Sequence, residues 1–180
     1  LITGEVDQIT RLHYKIAGVL KKPEALATVN NKKSPAFSSF NKDQGFNFPV
    51  GALSAFKYAT ALNHLLRKNS TTKFRVLETS YVCWSENSSG LEQALPVFFA
   101  DMGNDPDAGA EAVKSLFSSI HNGAYTKADG SDRFYLLGLA PNSARIVVRF
   151  WQVGTVAEFS ENLVKWFSDL EIVGKEEFGY

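Results

Sequence analysis

The residues best suited to chemistry lie between 133 and 153. Arg133–Leu139 and Ala144–Val153 are rich in β formers and flank a turn at Ala140-Pro141-Asn142-Ser143, so they read as a hairpin. Alternation puts Ile146, Val148 and Phe150 on one face, and Arg145, Val147, Arg149 and Trp151 on the other. On the first strand Arg133 and Tyr135 share a parity. Guanidinium groups fork onto phosphates and aromatic rings stack on bases, so an open face of this composition would hold nucleic acid. The same pattern fits a second packed layer whose arginines pair with carboxylates. Both readings stand at this point.

Other chemistries find less support. His13, His64 and His121 are scattered without metal-ligand spacing and read as ordinary surface or interface histidines. Asp101, Asp105, Asp107 and Glu111 lack the calcium-loop pattern. Asp105 reads as the N-cap of a helix, with Asp107 and Glu111 near its positive end. There is no P-loop, GxSxG or GxGxxG. Cys83, the single cysteine, lies in an apolar strand and is expected to be buried. No catalytic residue, cofactor or metal is expected.

These residues need elements to position them. Residues 1–50 form a basic, irregular region, with a short strand at Ala25–Val29 and an exposed loop at Asn30–Pro35. Phe37–Val50 has neither helical nor strand period, and Phe37, Phe40, Phe46 and Phe48 should anchor it. Residues 52–67 read as a helix burying Ala55, Ala59, Leu62 and Leu66, joined by Phe56 and Leu65. Arg67 and Lys68 suit its negative end. Arg75–Glu86 reads as one or two strands. Residues 91–100 are ambiguous, because Pro96 opposes a regular helix. Asp105-Pro106 opens a second helix, and Asp129-Gly130 is a turn signal. Gly154 should end the last strand. The capping box Thr155-Val156-Ala157-Glu158 then starts a helix with Val156, Phe159, Leu163, Trp166, Phe167 and Leu170 along one stripe. The expectation is an α+β fold: a mainly antiparallel sheet, a C-terminal hairpin followed by an amphipathic helix, and about three helices. Residues 1–180 read as one domain with its α+β core in 52–180.

The formal net charge is zero, but only by cancellation. Residues 1–75 hold 12 Lys/Arg against four Asp/Glu, and residues 76–180 hold seven against 15. Such asymmetry points to two surfaces with different partners, the basic one suited to nucleic acid. Segregation along the chain could also be remixed in space. No apolar run approaches the length of a membrane span, so no membrane partner is expected. The chain opens on Leu1 rather than Met and reads as an excised internal segment of a longer protein.

Several strings, taken together, resemble one family. They are Ser39-Phe40-Asn41-Lys42-Asp43-Gln44-Gly45-Phe46-Asn47-Phe48-Pro49-Val50, Ala55-Phe56-Lys57-Tyr58-Ala59-Thr60-Ala61-Leu62-Asn63-His64-Leu65-Leu66, Val82-Cys83-Trp84-Ser85-Glu86, and Gly138-Leu139-Ala140-Pro141-Asn142-Ser143-Ala144-Arg145-Ile146-Val147-Val148-Arg149-Phe150-Trp151. In order and spacing they resemble the large subunit of the type I-C (Dvulg subtype) CRISPR surveillance complex, Cascade. The resemblance implies a non-catalytic, cytoplasmic prokaryotic protein of antiviral defence. Its implied partners are the other Cascade subunits, the CRISPR guide RNA, target DNA, and a helicase-nuclease that the complex recruits. In such complexes the guide reads sequence, while protein reads a short duplex motif and the backbone. The family pattern has Tyr and Gly where this chain has Phe40 and Asn41, Ala where it has Phe48, and a helix-capping Ser where it has Gly51. If the family uses a Tyr hydroxyl contact at position 40, this chain lacks it. Lys42, Gln44 and Asn47 in the irregular loop, with Arg145 and Arg149 on the hairpin, are the expected nucleic-acid-binding residues. The alternative is a protein-docking scaffold within the same complex, with no direct nucleic-acid contact.

Overall fold

The computed structural model describes residues 6–29, 42–87, 89–101, 118, 122 and 131–170. In chain order, β1 (Lys15–Ile16) and β2 (Glu24–Ala25) pair antiparallel, Lys15 opposite Ala25. A 3-10 turn at Gln44–Asn47 precedes α1 (Ala52–Leu65). Then come β3 (Lys73–Val76), β4 (Thr79–Ser85), α2 (Leu91–Asp101), β5 (Arg133–Asn142), β6 (Arg145–Thr155) and α3 (Val156–Leu170). The last four strands form one sheet in the order β3-β4-β5-β6, which leaves β3 and β6 as its edges. The described residues form the α+β fold that the pattern predicts, with antiparallel sheets, three helices and a C-terminal hairpin followed by a helix. The helix at Asp105, the loop at Asn30–Pro35, the turn at Asp129-Gly130, and Phe37 and Phe40 lie outside the described residues.

Contacts divide the chain into two compact units, whose boundaries fall within β4, β5 and β6. The first comprises Leu1–Cys83 and Leu136–Trp151. Its core holds Ile16, Ala55, Ala59, Leu62, Leu66, Phe74, Val82, Cys83, Leu137, Leu139 and Ile146. The α1 face is the predicted one, except that Phe56 points outward. Phe56 sits about 100° round the helix from Ala55, at the margin of the stripe. At the helix end Lys73 Nζ donates to the Leu66 and Arg67 carbonyls at 3.0 and 2.8 Å, satisfying acceptors the helix leaves open.

Two tight loops shape the sheet within this unit. Leu77-Glu78 joins β3 to β4, with Val76 opposite Thr79 and Leu77 at φ 53°. Ser143-Ala144 joins β5 to β6, with Ser143 at φ 54°. A positive φ at the first loop residue matches the twist of hairpin strands. The second hairpin thus continues through Ala140-Pro141-Asn142, where the sequence suggested a turn. Gly138 faces the Tyr81 ring, which stacks on Phe74 with centroids 5.1 Å apart. A β carbon at 138 would lie 2.8 Å from Tyr81 Cε1 and 3.0 Å from Phe150 Cβ, so the aromatic packing requires glycine.

The second unit comprises Trp84–Tyr135 and Gln152–Tyr180. Phe159 of α3 packs on Phe134 of β5, centroids 4.7 Å apart, and Tyr135 stacks on Trp84 at 5.1 Å. Tyr135 and Trp84 are both half-buried, so each ring gives one face to the other. The capping box forms as predicted: Thr155 N–H donates to Glu158 Oε2 at 2.8 Å, and Glu158 N–H donates to Thr155 Oγ1 at 3.2 Å. Gly154 stays in the strand instead of ending it. A β carbon there would lie 2.9 Å from Glu158 Oε2 and 3.2 Å from the Phe159 ring, so its role is to admit the first turn of α3. Residues 91–101 are helical despite Pro96. Leu91 and Leu95, four residues apart, are buried, and Ser89 Oγ donates to the buried Glu92 at 2.8 Å. Burial of this face outweighs the one backbone bond that proline forfeits.

Replacing Gly138 by Ala is expected to lower stability by about 1–3 kcal/mol through overpacking. Thermal unfolding of the variant against wild type would show it, and an unchanged midpoint would refute the packing argument.

Candidate nucleic-acid interface

The loop carrying Lys42, Gln44 and Asn47 is held by a strap of chain, residues 7–13. Thr10 N–H donates to the Val50 carbonyl at 3.1 Å and Ala52 N–H to the Gln8 carbonyl at 2.8 Å, around a bridge between Ile9 and Gly51. Gly45 N–H donates to the Arg11 carbonyl at 2.7 Å. A β carbon at 45 would lie 2.6 Å from that carbonyl oxygen, so only glycine permits the approach. Arg11 Nε pairs with Asp43 at 2.5 Å. Its neighbour Gln44 is driven to φ 47°, a conformation that costs a non-glycine residue about 1 kcal/mol and persists only where surroundings enforce it.

The three loop residues have different roles. Lys42 is exposed and Gln44 is half-buried. Asn47 Nδ2 donates to the Gln44 carbonyl at 2.9 Å and to the Lys42 carbonyl at 3.2 Å. Both its amide hydrogens are thereby engaged by the turn, so Asn47 positions the other two. Phe48 meets the His13 ring edge to face, centroids 5.9 Å apart, whereas Phe46 is 41% exposed.

Two further residues, marked by no local pattern, fix this loop and the helix after it. Gly51 is the N-cap of α1 and has no side chain to cap with. The oxygen comes instead from Asp7, whose Oδ2 accepts from Leu53 N–H at 2.7 Å while Oδ1 accepts from Gln8 N–H at 2.7 Å. Gly51 leaves the room this requires, since a β carbon there would lie 2.8 Å from Asp7 Cβ. The second is His13, expected at the surface or an interface but buried at 8% exposure. Its Nδ1 bonds to Tyr58 Oη at 2.6 Å, and Nε2 has no hydrogen-bond partner among the described residues. Burial lowers the imidazole pKa below its ordinary 6.5 and raises that of the Tyr58 phenol. His64 is exposed beside Arg67, and His121 lies outside the described residues.

Arg145 and Arg149 stand exposed on edge strand β6, without a hydrogen-bond or ion-pair partner among the described residues. Of the face predicted to pack, only Ile146 is buried; Val148 and Phe150 are half-exposed. The reason is the edge position, which leaves no strand beyond β6 among the described residues. The structure gathers Lys42, Gln44 and Asn47 into one turn. Arg145 and Arg149 stand on another element of the same unit, β6. Cys83 is buried, as expected, with Sγ 3.5 Å from the Thr72 carbonyl oxygen. Among the described residues no three His, Cys, Asp or Glu side chains converge as metal ligands. No described helix is long and apolar enough to cross a membrane.

The charge segregation survives folding. Described residues of the first unit hold 12 Lys/Arg against four Asp/Glu, a formal +8, and those of the second hold two against seven, a formal −5. Arg145 and Arg149, remote in sequence from the basic first part, join it in the same unit.

Two outcomes follow from this geometry. Asp7→Ala should cost about 1 kcal/mol by uncapping α1. Gly51→Ser should destabilise wild type by crowding Asp7 but restore the cap in the Asp7→Ala background, as denaturant titrations of the three variants would show. His13, harder to protonate folded than unfolded, contributes stability that is full above pH 6.5 and lost as pH falls through its lowered folded value. The thermal midpoint of wild type should therefore drop below pH 6.5 more steeply than that of His13→Asn; parallel profiles would refute this.

Comparison with curated proteins finds no match. Among protein-family models, CRISPR-associated protein (Cas_Csd1) matches residues 1–180, the whole sequence. Its span takes in the strap, the loop, α1 and the β5–β6 hairpin. The chain belongs to the CRISPR-associated Cas_Csd1 family, that of the type I-C large subunits.

Proposed function

We propose that this chain is a non-catalytic, DNA-engaging part of the type I-C Cascade large subunit. In this reading its basic unit holds target DNA, either the motif-proximal duplex or the displaced strand, by charge and stacking. Arg145 and Arg149 fork onto phosphates from β6, and Lys42 and Gln44 reach out from the loop that Asn47 and Gly45 hold. The guide RNA and the other subunits of the complex supply sequence reading, and the helicase-nuclease it recruits supplies cleavage.

One observation carries the reading. The two hairpin arginines are exposed and have no ion-pair partner among the described residues, in a unit whose described residues carry +8. An exposed cation excess with few carboxylates nearby is the electrostatic footprint of a polyanion partner. A specific observation also favours docking: Val148, Phe150, Trp151 and Val153 are exposed along the same edge strand. A sheet edge of this kind accepts a strand from a neighbouring protein.

Charge reversal separates the two. In the assembled complex, Arg145→Glu with Arg149→Glu should weaken DNA binding and lower the log–log salt slope by about 1 per phosphate contact removed. Under the docking reading the same variant would lose neighbouring subunits while assembled complexes kept their DNA affinity. Unchanged binding and unchanged assembly, with folding intact, would remove the hairpin from both.

A further inference from the structure

The outward face of α1 carries an unusual group of side chains. Leu53, Phe56, Lys57 and Thr60 follow one another at helical spacing and are all exposed. Phe56 is 49% exposed, although its position one residue from the buried stripe would have allowed it inside. Tyr14, immediately before β1, is 50% exposed and meets Phe56 edge to face, with centroids 5.7 Å apart and planes at 75°. Both rings are thus half in water, side by side. Lys57 follows Phe56 on the same helical face, and Lys15, which follows Tyr14, pairs with Glu24 at 3.8 Å while its side chain stays 66% exposed.

Half-exposed rings on a basic unit have a definite complement. Ring faces attract flat π systems, and the cations attract an anionic backbone. In a duplex the faces of the bases are hidden in the stack, so a ring standing out from a helix surface has nothing to pair with. An unpaired nucleotide presents its base face and its phosphate together. The charge of the unit, +8 over its described residues, matches that partner and opposes a basic one.

We propose that Tyr14 and Phe56, with Lys57 beside them, form a stacking platform for unpaired nucleotides, distinct from the loop and hairpin residues. The proposal rests on the nucleic-acid reading above and deepens it by naming the single strand as what this face holds. Stacking is tolerant of base identity, so the platform steadies an opened strand without reading it.

The test is fluorescence anisotropy of the 180-residue chain with four labelled probes: oligo(dT), oligo(rU), an abasic phosphodiester of the same length, and a short duplex. Oligo(dT) should bind more tightly than the abasic probe. Phe56→Ala or Tyr14→Ala should weaken oligo(dT) binding roughly tenfold and leave the abasic probe and the duplex unchanged, while Phe56→Trp retains wild-type affinity. Because both side chains are half-exposed, these variants should keep the wild-type circular dichroism spectrum. Relative affinity for oligo(dT) and oligo(rU) tells a DNA strand from an RNA strand as the natural occupant. Equal binding of base-bearing and abasic probes overturns the platform alone, leaving the charge-based reading intact. Absence of binding to every probe at low salt overturns both. Wild-type oligo(dT) affinity in both Ala variants, coupled with loss of neighbouring subunits, overturns the platform in favour of a protein-docking face.

Discussion

The contact between Gly45 and the Arg11 carbonyl is the constraint on which most of the first unit's geometry depends. At 2.7 Å the backbone of the loop lies directly on the backbone of the strap, and no side chain fits between them. That approach sets Gln44 in its left-handed conformation and brings Asp43 to Arg11. It continues into the bridge at Ile9 and Gly51, which delivers Asp7 to the first turn of α1. His13, just beyond the strap, is then placed against Tyr58 on α1 and Phe48 on the loop. A stretch without helical or strand periodicity is in this way given a fixed course by backbone bonding to a distant segment, which accounts for those buried polar groups.

How much of this was legible in the sequence divides along the range of the interactions. The capping box at Thr155–Glu158, the buried stripe of α1 and the β5–β6 hairpin are local patterns, and they fold as their residues suggest. The departures each have a partner remote in the chain or a competing local term. Pro96 sits in a helix because Leu91 and Leu95 are buried together. Gly154 looks like a strand breaker but is the gap that Glu158 and Phe159 fill. Gly51 looks like a lost cap, and the missing oxygen arrives from Asp7. Of the site residues, the exposure of Arg145 and Arg149 follows from their alternation and from the edge position of β6. The engagement of Asn47 with its own turn does not follow from its type, since an Asn side chain serves a turn and a ligand equally well.

The electrostatics carry a cost. Among the described residues of the basic unit only two ion pairs form, Arg11 with Asp43 and Lys15 with Glu24, the second at 3.8 Å. Both are exposed, and pairs of that kind contribute about 0–1 kcal/mol. Most cations of this unit therefore repel one another without compensation, and that repulsion is screened over about 8 Å at physiological ionic strength. A polyanion would relieve it, so the same charges that weaken the free unit would strengthen a complex with such a partner.

The edge strand has a consequence for the chain's fate in solution. The window Ile146-Val147-Val148-Arg149-Phe150-Trp151 has five strand-favouring side chains, and half of its backbone bonding potential faces away from β5. Windows of this composition nucleate intermolecular cross-β stacking when they carry no charge. Arg149 interrupts this one near its centre, and Arg145 stands at its start. Each stacked copy would have to bury a guanidinium against its own kind. The arginines are therefore gatekeepers against aggregation as well as candidate ligands for phosphate, and their neutralisation exposes a sticky edge. A polyanion that pairs with them removes the charge and covers the strand in the same step.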